Sequence, residues 1–398
     1  MANPAETAKK FFQNPDRDSR AKSRFAYYYF GLYLKIIDNI RRQYARNKQI
    51  VYLDLFAGEG RYGTGEESVP LKVLGSAYRI ENIRFHFNDY YRASALEENI
   101  KKRFGYDVLP NKIKVTHEDA TTMHINSLFG PNDIVISYID SFSYLLCDTK
   151  TINKLIKNAF SDAVIYLNVE HFYRFIDNEA EQESFSKFFG SKDRLEHFRR
   201  RYKEAINKDE VTLEIVEDFI KRLNQEHGSR LSYLPVFFRK SESNTVICQV
   251  LMVISKNDTG PKRVRERFTE LPKEIDDKGK FNRDFYFEDG RMTVYVDSSR
   301  NQLCLFDDDF EKYSKILNFM GNSPEEAITL STLLCRIDDK CVRKHGYLSG
   351  YTEAFLRREL TYFEDKGMIG IISESSRKRP RHTWGPKTKF YKLPGTSK

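Results

Sequence analysis

Cysteine is scarce in this sequence, and its few cysteines do not form pairs. The 398 residues include five, at Cys147, Cys248, Cys304, Cys335 and Cys341, with no C-x-x-C spacing and no histidine-rich segment beside them. Disulfide frameworks and structural zinc sites need cysteines in regular groups, so neither is expected and no metal site is predicted. This pattern is typical of a protein of the reducing cytoplasm.

Long apolar runs are also absent. No stretch approaches the roughly 18 consecutive apolar residues of a membrane-spanning helix, and the N-terminus has no apolar signal-peptide segment. We therefore predict no contact with a membrane. Apolar residues make up 40% of the composition, which is enough for a folded core and excludes widespread disorder. The length fits one large domain and a smaller one.

Acidic residues are missing from one segment near the C-terminus. Seven Lys or Arg and no acid lie between Arg377 and Lys392, and the net charge of the chain is +9. A second basic excess lies between Lys9 and Lys48. Clustered positive charge suits a phosphate backbone, although a solvated surface and a flexible hairpin explain it equally well.

Apolar spacing predicts an amphipathic helix from Lys22 to about Arg46. Its apolar side is predicted to consist of Phe25, Tyr29, Leu32, Ile36 and Ile40, which recur at intervals of three and four. The opposite side is predicted to consist of Lys35, Arg41, Arg42 and Arg46.

Short apolar runs then alternate with helical patterns. The predicted parallel strands are Ile50–Leu55, Ile83–Phe87, Lys112–Thr116, Asp133–Ile139 and Ala163–Asn168. Helices are predicted between them, at Ala93–Phe104 and Thr151–Phe160, and a charged helical stretch follows at Glu179–Gln225. Leu234–Phe238 and Thr245–Ile254 are predicted to close the sheet as an antiparallel pair. The fold class is therefore α/β, with a Rossmann-like sheet of seven strands.

The last ninety or so residues are predicted to form a separate unit. The predicted order is three helices, at Phe310–Met320, Thr329–Ile337 and Thr352–Lys366, and a hairpin of Met368–Ser373 and Lys389–Leu393. This is the layout of a winged helix. The predicted domains are an N-terminal helical extension at 1–48, the α/β domain at 49–260, a connector at 261–309 and the winged helix at 310–398.

A glycine-rich turn follows the first predicted strand. Gly58, Gly60 and Gly63 satisfy the dinucleotide pattern G-x-G-x-x-G, which keeps an NAD-dependent oxidoreductase open as an alternative. However, Tyr62–Ser76 is predicted to be an inserted loop, whereas a dinucleotide site needs a helix directly after the glycines. Such a turn lets backbone amides approach a small polar ligand closely.

Three acids end three successive strands of the predicted sheet: Asp54, Asp89 and Asp119. The carboxyl ends of these strands form the edge at which α/β sheets bind ligands. The spacing favours S-adenosylmethionine, whose amino-acid end is charged, over NAD. Each acid by itself could instead be a helix cap or a turn residue.

The fourth strand is predicted to end at the reacting edge, in Ser137-Tyr-Ile-Asp-Ser-Phe-Ser143. Asp140 is a candidate base or hydrogen-bond acceptor, and Phe142 could stack on a flat substrate. The structural alternative is that Asp140 caps the next helix and Phe142 lies in the core.

The winged-helix unit supplies the candidate nucleic-acid contacts. These are Arg357, Arg358, Arg377, Lys378, Arg379, Arg381 and Lys387. Leu356, Leu360 and Phe363 are predicted to face inward, which turns Arg357 and Arg358 toward a major groove. Trp384 either stacks on a base or pins the hairpin. A winged helix can also dock on a protein, so this alternative stays open.

The sequence resembles the three-Cys-motif partner (TcmP) family and, more broadly, class I S-adenosylmethionine-dependent methyltransferases. The resemblance covers roughly residues 20–270 and is strongest at Tyr52-Leu-Asp-Leu-Phe-Ala-Gly-Glu-Gly-Arg-Tyr62. Gly75-Ser76 and Asp140-Ser-Phe-Ser143 also match, although Glu59, Ser141 and Ser143 replace the family's usual proline, proline and glycine. The family is bacterial and named for a genomic partner that is similar to radical-SAM proteins.

The resemblance implies a methyltransferase fold and S-adenosylmethionine as cofactor. It implies that Asp54, Phe56, Gly58 and Gly60 shape the methionine end, that Asp89 holds the ribose, and that Asp119 meets the adenine. Asp140 and Phe142 would receive the acceptor. The favoured function is methyl transfer to nucleic acid, with DNA favoured over RNA and a radical-SAM-like protein as a further partner. The alternative is a non-catalytic binding protein on a degenerate scaffold, since the D-P-P-Y shape of amino-methyltransferases is missing.

Overall fold

The computed structural model describes residues 17–105, 112–141, 144, 146–241, 246–268, 285–288, 291–297, 316–373 and 384–394. The chain divides into two compact units. One consists of Met1–Tyr233 with Phe237–Pro261, and the other of Leu234–Val236 with Lys262–Lys398. The boundaries predicted at residues 48, 260 and 309 stay predictions. No helix of the described ranges is long and apolar enough to cross a membrane.

The first unit alternates strands and helices. Its strands are β1 Ile50–Asp54, β2 Ile83–Asn88, β3 Ile113–Thr116, β4 Ile134–Ile139, β5 Asp162–Leu167, β6 Ser232–Ser241 and β7 Ile247–Ser255. Its helices are α1 Arg17–Tyr44, α2 Val69–Ala77, α3 Ala93–Phe104, α4 Thr149–Leu155, α5 Val169–Phe175, α6 Gln182–Phe189, α7 Lys192–Glu204 and α8 Lys208–His227. A further helix, α9 Thr259–Phe268, follows the last strand.

The seven strands lie in the order β3-β2-β1-β4-β5-β7-β6. Strands β1 to β5 pair in parallel, and β7 pairs antiparallel with β5. The predicted mostly parallel seven-stranded sheet is therefore confirmed. Chain order reverses between β1 and β4, and ligands of open α/β sheets bind outside the carboxyl ends of the strands at such a reversal.

The central strands are apolar and buried along their length. Every residue of β1, β4, β5 and β7 is buried. A parallel sheet is covered by helices on both faces, so its strands are nearly continuous apolar runs rather than alternating ones. This accounts for the close match between the predicted and observed strand positions.

Helix α1 packs on the sheet with a different side from the one predicted. Of the predicted apolar residues whose side chains the structure describes, Tyr29 is buried, whereas Leu32, Ile36 and Ile40 are half-buried. The buried side is centred on Phe30, Tyr33, Leu34 and Ile37. The helix is apolar around much of its circumference, so spacing alone does not locate the buried side.

Arg41 was predicted on the solvent side of α1, and it is buried instead. Its guanidinium group donates two hydrogen bonds to Asp38 Oδ1, of 3.0 and 2.8 Å, and one to the carbonyl oxygen of Arg46. A paired and hydrogen-bonded charge can be buried where a lone one cannot. Lys35, Arg42 and Arg46 are exposed, as predicted.

The segment Tyr62–Ser76, predicted to be a loop, is a loop only in its first half. Helix α2 begins at Val69, with Pro70 in its first turn. Proline lacks the backbone N–H that a first helical turn leaves unpaired, so its presence is compatible with a helix start. A side chain at Gly31 of α1 would lie 3.2 Å from Ser76 Cβ, so the two helices approach closely.

The second unit contains an antiparallel pair of strands, a three-stranded sheet and two long helices. Its described elements are β8 Phe285–Glu288, β9 Arg291–Asp297, β10 Ile328–Thr329, α10 Leu330–His345, α11 Glu353–Asp365, β11 Ile369–Ile372 and β12 Lys389–Lys392. Strands β10, β12 and β11 form an antiparallel sheet. Leu356, Leu360 and Phe363 of α11 are fully buried, as predicted. Most of the predicted helix Phe310–Met320 lies outside the described residues.

Candidate functional site

The glycine turn after β1 adopts a backbone that only glycine tolerates easily. Gly58 and Gly60 have φ angles of 66° and 78°, in the left-handed region. A Cβ atom at Gly60 would lie 2.6 Å from Leu96 Cδ1, so the turn is also pressed against helix α3. Gly63 is followed by a turn rather than by a helix, because α2 begins only at Val69. This spacing argues against the dinucleotide interpretation.

Asp54 is a buried acid at the carboxyl end of β1. Its side chain is 1% exposed, and Oδ1 accepts a hydrogen bond of 3.2 Å from the backbone N–H of Phe56. Oδ2 is buried and has no hydrogen-bond partner among the residues that the structure describes. The hydroxyl of Tyr52, two residues earlier, is also buried and also has no hydrogen-bond partner among the described residues. Two unpaired buried polar atoms on one strand are compatible with a binding site for a polar ligand.

Burial raises the pKa of Asp54 well above its usual value. The hydrogen bond from Phe56 opposes this shift, and the nearby carboxylates of Asp140 and Asp89 add to it. A cation placed beside a buried carboxyl group of this kind stabilises its anionic form. The end of β1 therefore suits a ligand with a positive charge, such as an α-ammonium group.

Asp89 follows β2 and holds the glycine turn. Its Oδ2 accepts a 2.9 Å hydrogen bond from Gly58 N, and its Oδ1 accepts from the backbone N–H groups of Tyr91 and Arg92 at 2.9 and 2.8 Å. The residue therefore caps the start of α3 and connects it to the turn. Each carboxylate oxygen can accept two hydrogen bonds, so Oδ2 retains the capacity to accept one from a ribose hydroxyl.

Glu59 stands in the glycine turn where the family that the sequence resembles has proline, and its carboxylate is paired. It forms an ion pair with Arg92 of the segment that leads into α3. Asn99 of α3 donates a 2.9 Å hydrogen bond to the carbonyl oxygen of Glu59. Helix α3 and the residue before it therefore hold the turn through both the backbone and the side chain of Glu59. The pair neutralises the charge that distinguishes this turn from one with proline.

Asp119 follows β3 and is exposed. Its Oδ1 accepts hydrogen bonds from the backbone N–H and the hydroxyl of Thr121, at 2.9 and 2.7 Å. This is the turn geometry that the structural alternative describes. Nearby, the ring of His117 lies 5.8 Å from that of Tyr90, which follows Asp89 and is 52% exposed.

Asp140 lies one residue beyond β4, next to Asp54 in the order of the sheet. The hydroxyl of Tyr138 donates a 3.2 Å hydrogen bond to Asp140 Oδ2. Burial, followed by the charges of Asp140 and Asp54, raises the pKa of Tyr138 well above its usual value, so this hydroxyl stays a donor. Tyr138 pairs with Asp54 across the parallel strands. Phe142 lies outside the described residues, so its predicted role stays a prediction.

The basic residues of the second unit differ in exposure. Arg358 has a side chain that is 46% exposed and lies 4.9 Å from the Phe355 ring, whereas Arg357 is half-buried and donates a 3.4 Å hydrogen bond to the carbonyl oxygen of Trp384. Lys387 is exposed. The ring of Trp384 packs edge-on against Phe390 of β12, which favours the hairpin-pinning role. Arg377, Lys378, Arg379 and Arg381 lie outside the described residues.

Sequence reasoning found the acids but missed the side chains that hold them. Tyr138, Arg92 and Asn99 were not singled out, and Tyr90 was not considered as a contact for a flat ligand. Tyr138 could have been noticed, because a tyrosine two residues before a strand-end acid lies on the same face of the strand. The contacts of Arg92 and Asn99 with residue 59 carry no signal in the local sequence, since they span 33 and 40 positions.

Comparison of the sequence with protein-family models and with curated proteins gives no match. Several solved structures with partial similarity to this chain are methyltransferases. The methyltransferase domain of bacterial CtHen1-C is 10% identical, with a TM-score of 0.29, over 56% of this chain and 95% of that one. The O-methyltransferase TomG from Streptomyces achromogenes, solved with SAM, is 7% identical, with a TM-score of 0.30, over 56% and 79%.

A type I restriction-modification methyltransferase subunit from Streptococcus thermophilus is 10% identical, with a TM-score of 0.32, over 59% of this chain and 44% of that one. Scores at this level carry no argument about function. The fold is methyltransferase-like. That statement rests on the strand order, the reversal between β1 and β4, and the glycine turn at the reversal. Membership of the three-Cys-motif partner family stays a prediction.

Proposed function

We propose that this protein is an S-adenosylmethionine-dependent methyltransferase that acts on nucleic acid, with DNA favoured over RNA. The observation that carries the cofactor is Asp54: a buried carboxyl group at the switch point of the sheet, with one oxygen unpaired among the described residues. The ammonium group of the methionine end would supply the missing positive charge and hydrogen bond.

Each predicted residue has a place in this proposal. Asp54, with the turn of Phe56, Gly58 and Gly60, surrounds the methionine end. Asp89 offers its remaining acceptor capacity to the ribose, and Asp119 offers its carboxylate to the adenine amine. When bound, the cofactor supplies a methyl group activated by a sulfonium, so the protein contributes mainly alignment.

The acceptor end of the proposed site is formed by Asp140, with Phe142 as the stacking residue. Tyr138 is a positioning residue, because its hydroxyl holds Asp140 Oδ2 at the sheet edge. An oriented carboxylate can accept the proton or the hydrogen bond of an incoming amine or hydroxyl.

Nucleic-acid binding is proposed from the second unit. Its two long helices and antiparallel sheet support a winged helix, and the exposed Arg358 and Lys387 are candidate phosphate contacts. The basic residues 377–381 extend the same chemistry. A radical-SAM-like protein partner and a cytoplasmic location are further parts of the proposal, and they rest on the family resemblance and on the cysteine pattern.

Calorimetric titration with S-adenosylmethionine tests the cofactor claim. We expect micromolar binding to the wild type, no binding of NAD, and loss of at least about tenfold in affinity for Asp54→Asn, which removes the charge but keeps the shape. Asp177→Asn serves as the matched control, because Asp177 is 61% exposed. Unchanged affinity in Asp54→Asn, with the fold intact by circular dichroism, would contradict the assignment.

Salt dependence of DNA binding tests the second unit. Replacing a phosphate contact lowers the slope of log affinity against log salt by about one. We expect this for Arg358→Ala and Lys387→Ala. Lys344→Ala is the control, because Lys344 is equally exposed but lies on α10. Equal slopes in all three variants would remove the winged helix from the proposed interface.

A non-catalytic scaffold is the second candidate function. It is favoured by the ion pair of Glu59 with Arg92 and by the three backbone N–H groups that already occupy Asp89. The ion pair departs from the turn of the family that the sequence resembles, and the three hydrogen bonds leave Asp89 only part of its acceptor capacity for a ribose. DNA binding without any heat from S-adenosylmethionine would support this candidate over the enzyme.

A further inference from the structure

The turn between α6 and α7 brings two arginines together. Gly190 ends α6 in the left-handed conformation, and Ser191 caps α7 by accepting the backbone N–H of Arg194. A Cβ atom at Gly190 would lie 3.7 Å from Arg222 Nη1 and 3.8 Å from Arg194 Nη1. The two guanidinium groups, one from α8 and one from α7, therefore lie within van der Waals contact distance of the same point beside the turn.

Arg222 is buried and only partly satisfied. The residue is 7% exposed, and its Nε donates a 2.7 Å hydrogen bond to Asp218 Oδ2. Nη1 and Nη2 are buried and have no hydrogen-bond partner within the described part of the chain. A guanidinium group has five N–H donors in one plane, so most of its donor capacity is unused here.

The aromatic neighbours of Arg222 do not replace those hydrogen bonds. The guanidinium carbon lies 5.8 Å from the ring centres of Phe188 and Phe219. Such rings attract the charge of the group but accept no conventional hydrogen bond from its Nη atoms. Burying a charged donor without an acceptor costs more free energy than burying an unpaired neutral donor.

Asp218 lies close to the Nε atoms of both arginines. Its second oxygen, Oδ1, lies 3.6 Å from Nε of Arg194, whose side chain is 47% exposed. Each arginine thus turns its Nε toward Asp218, and each has its Nη1 near Gly190. The first turn of α7 adds backbone N–H groups and the positive end of the helix dipole to the same place.

We propose that this turn is a binding site for a phosphate group, held by Arg222 and Arg194 at the start of α7. Two guanidinium groups and a helix N-terminus are the donors that a tetrahedral oxyanion requires. The half-exposed Arg194 is the outer of the two, and exposed side chains change rotamer within nanoseconds. Its movement gives an anion access to Arg222. The site lies in the first unit and is independent of the proposed cofactor.

The first experiment uses the full-length protein and inorganic phosphate as the probe. We expect the melting temperature to be higher in phosphate than in sodium chloride of equal ionic strength. We also expect titration with phosphate to show saturable binding. Arg194→Ala should weaken that binding by at least about tenfold, since a charge-assisted pair is lost. Arg200→Ala, an exposed arginine on the same helix, should behave as the wild type.

Arg222→Met tests the buried member and keeps most of its apolar packing. If this variant fails to fold, the comparison of Arg194→Ala with Arg200→Ala still decides the matter. No saturable phosphate binding in the wild type would overturn the site. Equal weakening in Arg194→Ala and Arg200→Ala would also overturn it, because binding would then follow net charge alone.

Competition separates the two sources of the phosphate group. If the site receives a nucleic-acid backbone, Arg194→Ala lowers DNA affinity and inorganic phosphate competes with DNA for the wild type. If it receives a free phosphate-bearing molecule, phosphate binding is lost in Arg194→Ala while DNA affinity is unchanged. Both results sustain the site. Neither depends on S-adenosylmethionine, so failure of the proposed function would be seen separately.

Discussion

Asp54 is a carboxyl group whose charge depends on what lies beside it. Burial raises its pKa well above the usual value, so the protonated form persists to higher pH in the folded protein. A cationic ligand stabilises the anion and releases the proton. Binding of S-adenosylmethionine should therefore weaken as pH falls through this raised pKa, while the ligand keeps its own charge.

Calorimetry at several pH values, in buffers with different ionisation enthalpies, measures the released proton. The wild type should show a binding heat that varies with the buffer, and an affinity that decreases toward acidic pH. Asp54→Asn should show neither dependence, because its amide does not titrate. A pH profile shared by both proteins would assign the proton to another group.

The positions of the acids could be predicted from the sequence, but the residues that contact them could not. Position at a strand end predicted Asp54, Asp89 and Asp140 as a group, because parallel strands bring their carboxyl ends to one edge. What each acid contacts depends on distant residues. Gly58 reaches Asp89 across 31 positions, and no local pattern encodes that contact.

At the scale of secondary-structure elements, two glycines differ in whether their position can accept a side chain. Gly60 has a φ angle of 78° and no room for a Cβ, whereas Gly75 lies in α2 with no atom within 4 Å of the place a Cβ would take. We expect Gly60→Ala to lower the free energy of unfolding by about 1–3 kcal/mol. Gly75→Ala should raise it by about 0.5–1 kcal/mol, since alanine favours helix.

Urea denaturation of the two variants and the wild type gives these values. The two substitutions add the same methyl group, so each is the control for the other. A destabilised Gly75→Ala would mean that α2 does not extend through this position. If Gly60→Ala leaves the free energy of unfolding unchanged, Leu96 and the turn can shift to admit the methyl group. The close packing of the turn on α3 would then contribute little to stability.

Elements were predicted well where one physical signal dominated. The parallel strands β1 to β5 lie within one residue of their predicted bounds, and α3 has the predicted bounds. Helix α2 was missed, because its apolar residues and proline resemble a loop when the tertiary contacts with α1 are unknown. The buried side of α1 was misplaced for a related reason: aromatic residues surround much of this helix, and packing decides which of them face the sheet.

At the scale of the whole molecule, Asp162 links stability to pH. It is buried at the start of β5, and burial raises its pKa from 3.8 to about 7, against the opposing effects of the Ser255 hydrogen bond and the Lys256 charge. A folded-state pKa above the unfolded one gives stability that is complete below the unfolded pKa and is lost as pH rises through the folded one. Asp162 should therefore lower stability between pH 3.8 and about 7.

Asp162→Asn removes this titration and keeps a side-chain oxygen for Ser255. We expect the free energy of unfolding of the variant, relative to the wild type, to increase as pH rises to about 7 and to level off above it. Denaturation curves across this range measure it, with the exposed Asp177→Asn as the control. A difference that does not change with pH would show that Asp162 stays charged in the folded protein.

Helix α1 has a consequence for how this protein can be divided. The ring of Phe30 packs edge-on against Tyr52 and Tyr138, at 5.1 and 5.5 Å, directly beneath the strand ends that carry Asp54 and Asp140. A fragment that begins at residue 49 would expose these rings to water and free Tyr138, whose hydroxyl holds Asp140. The predicted start of the α/β domain at residue 49 is therefore not a point where the chain can be cut.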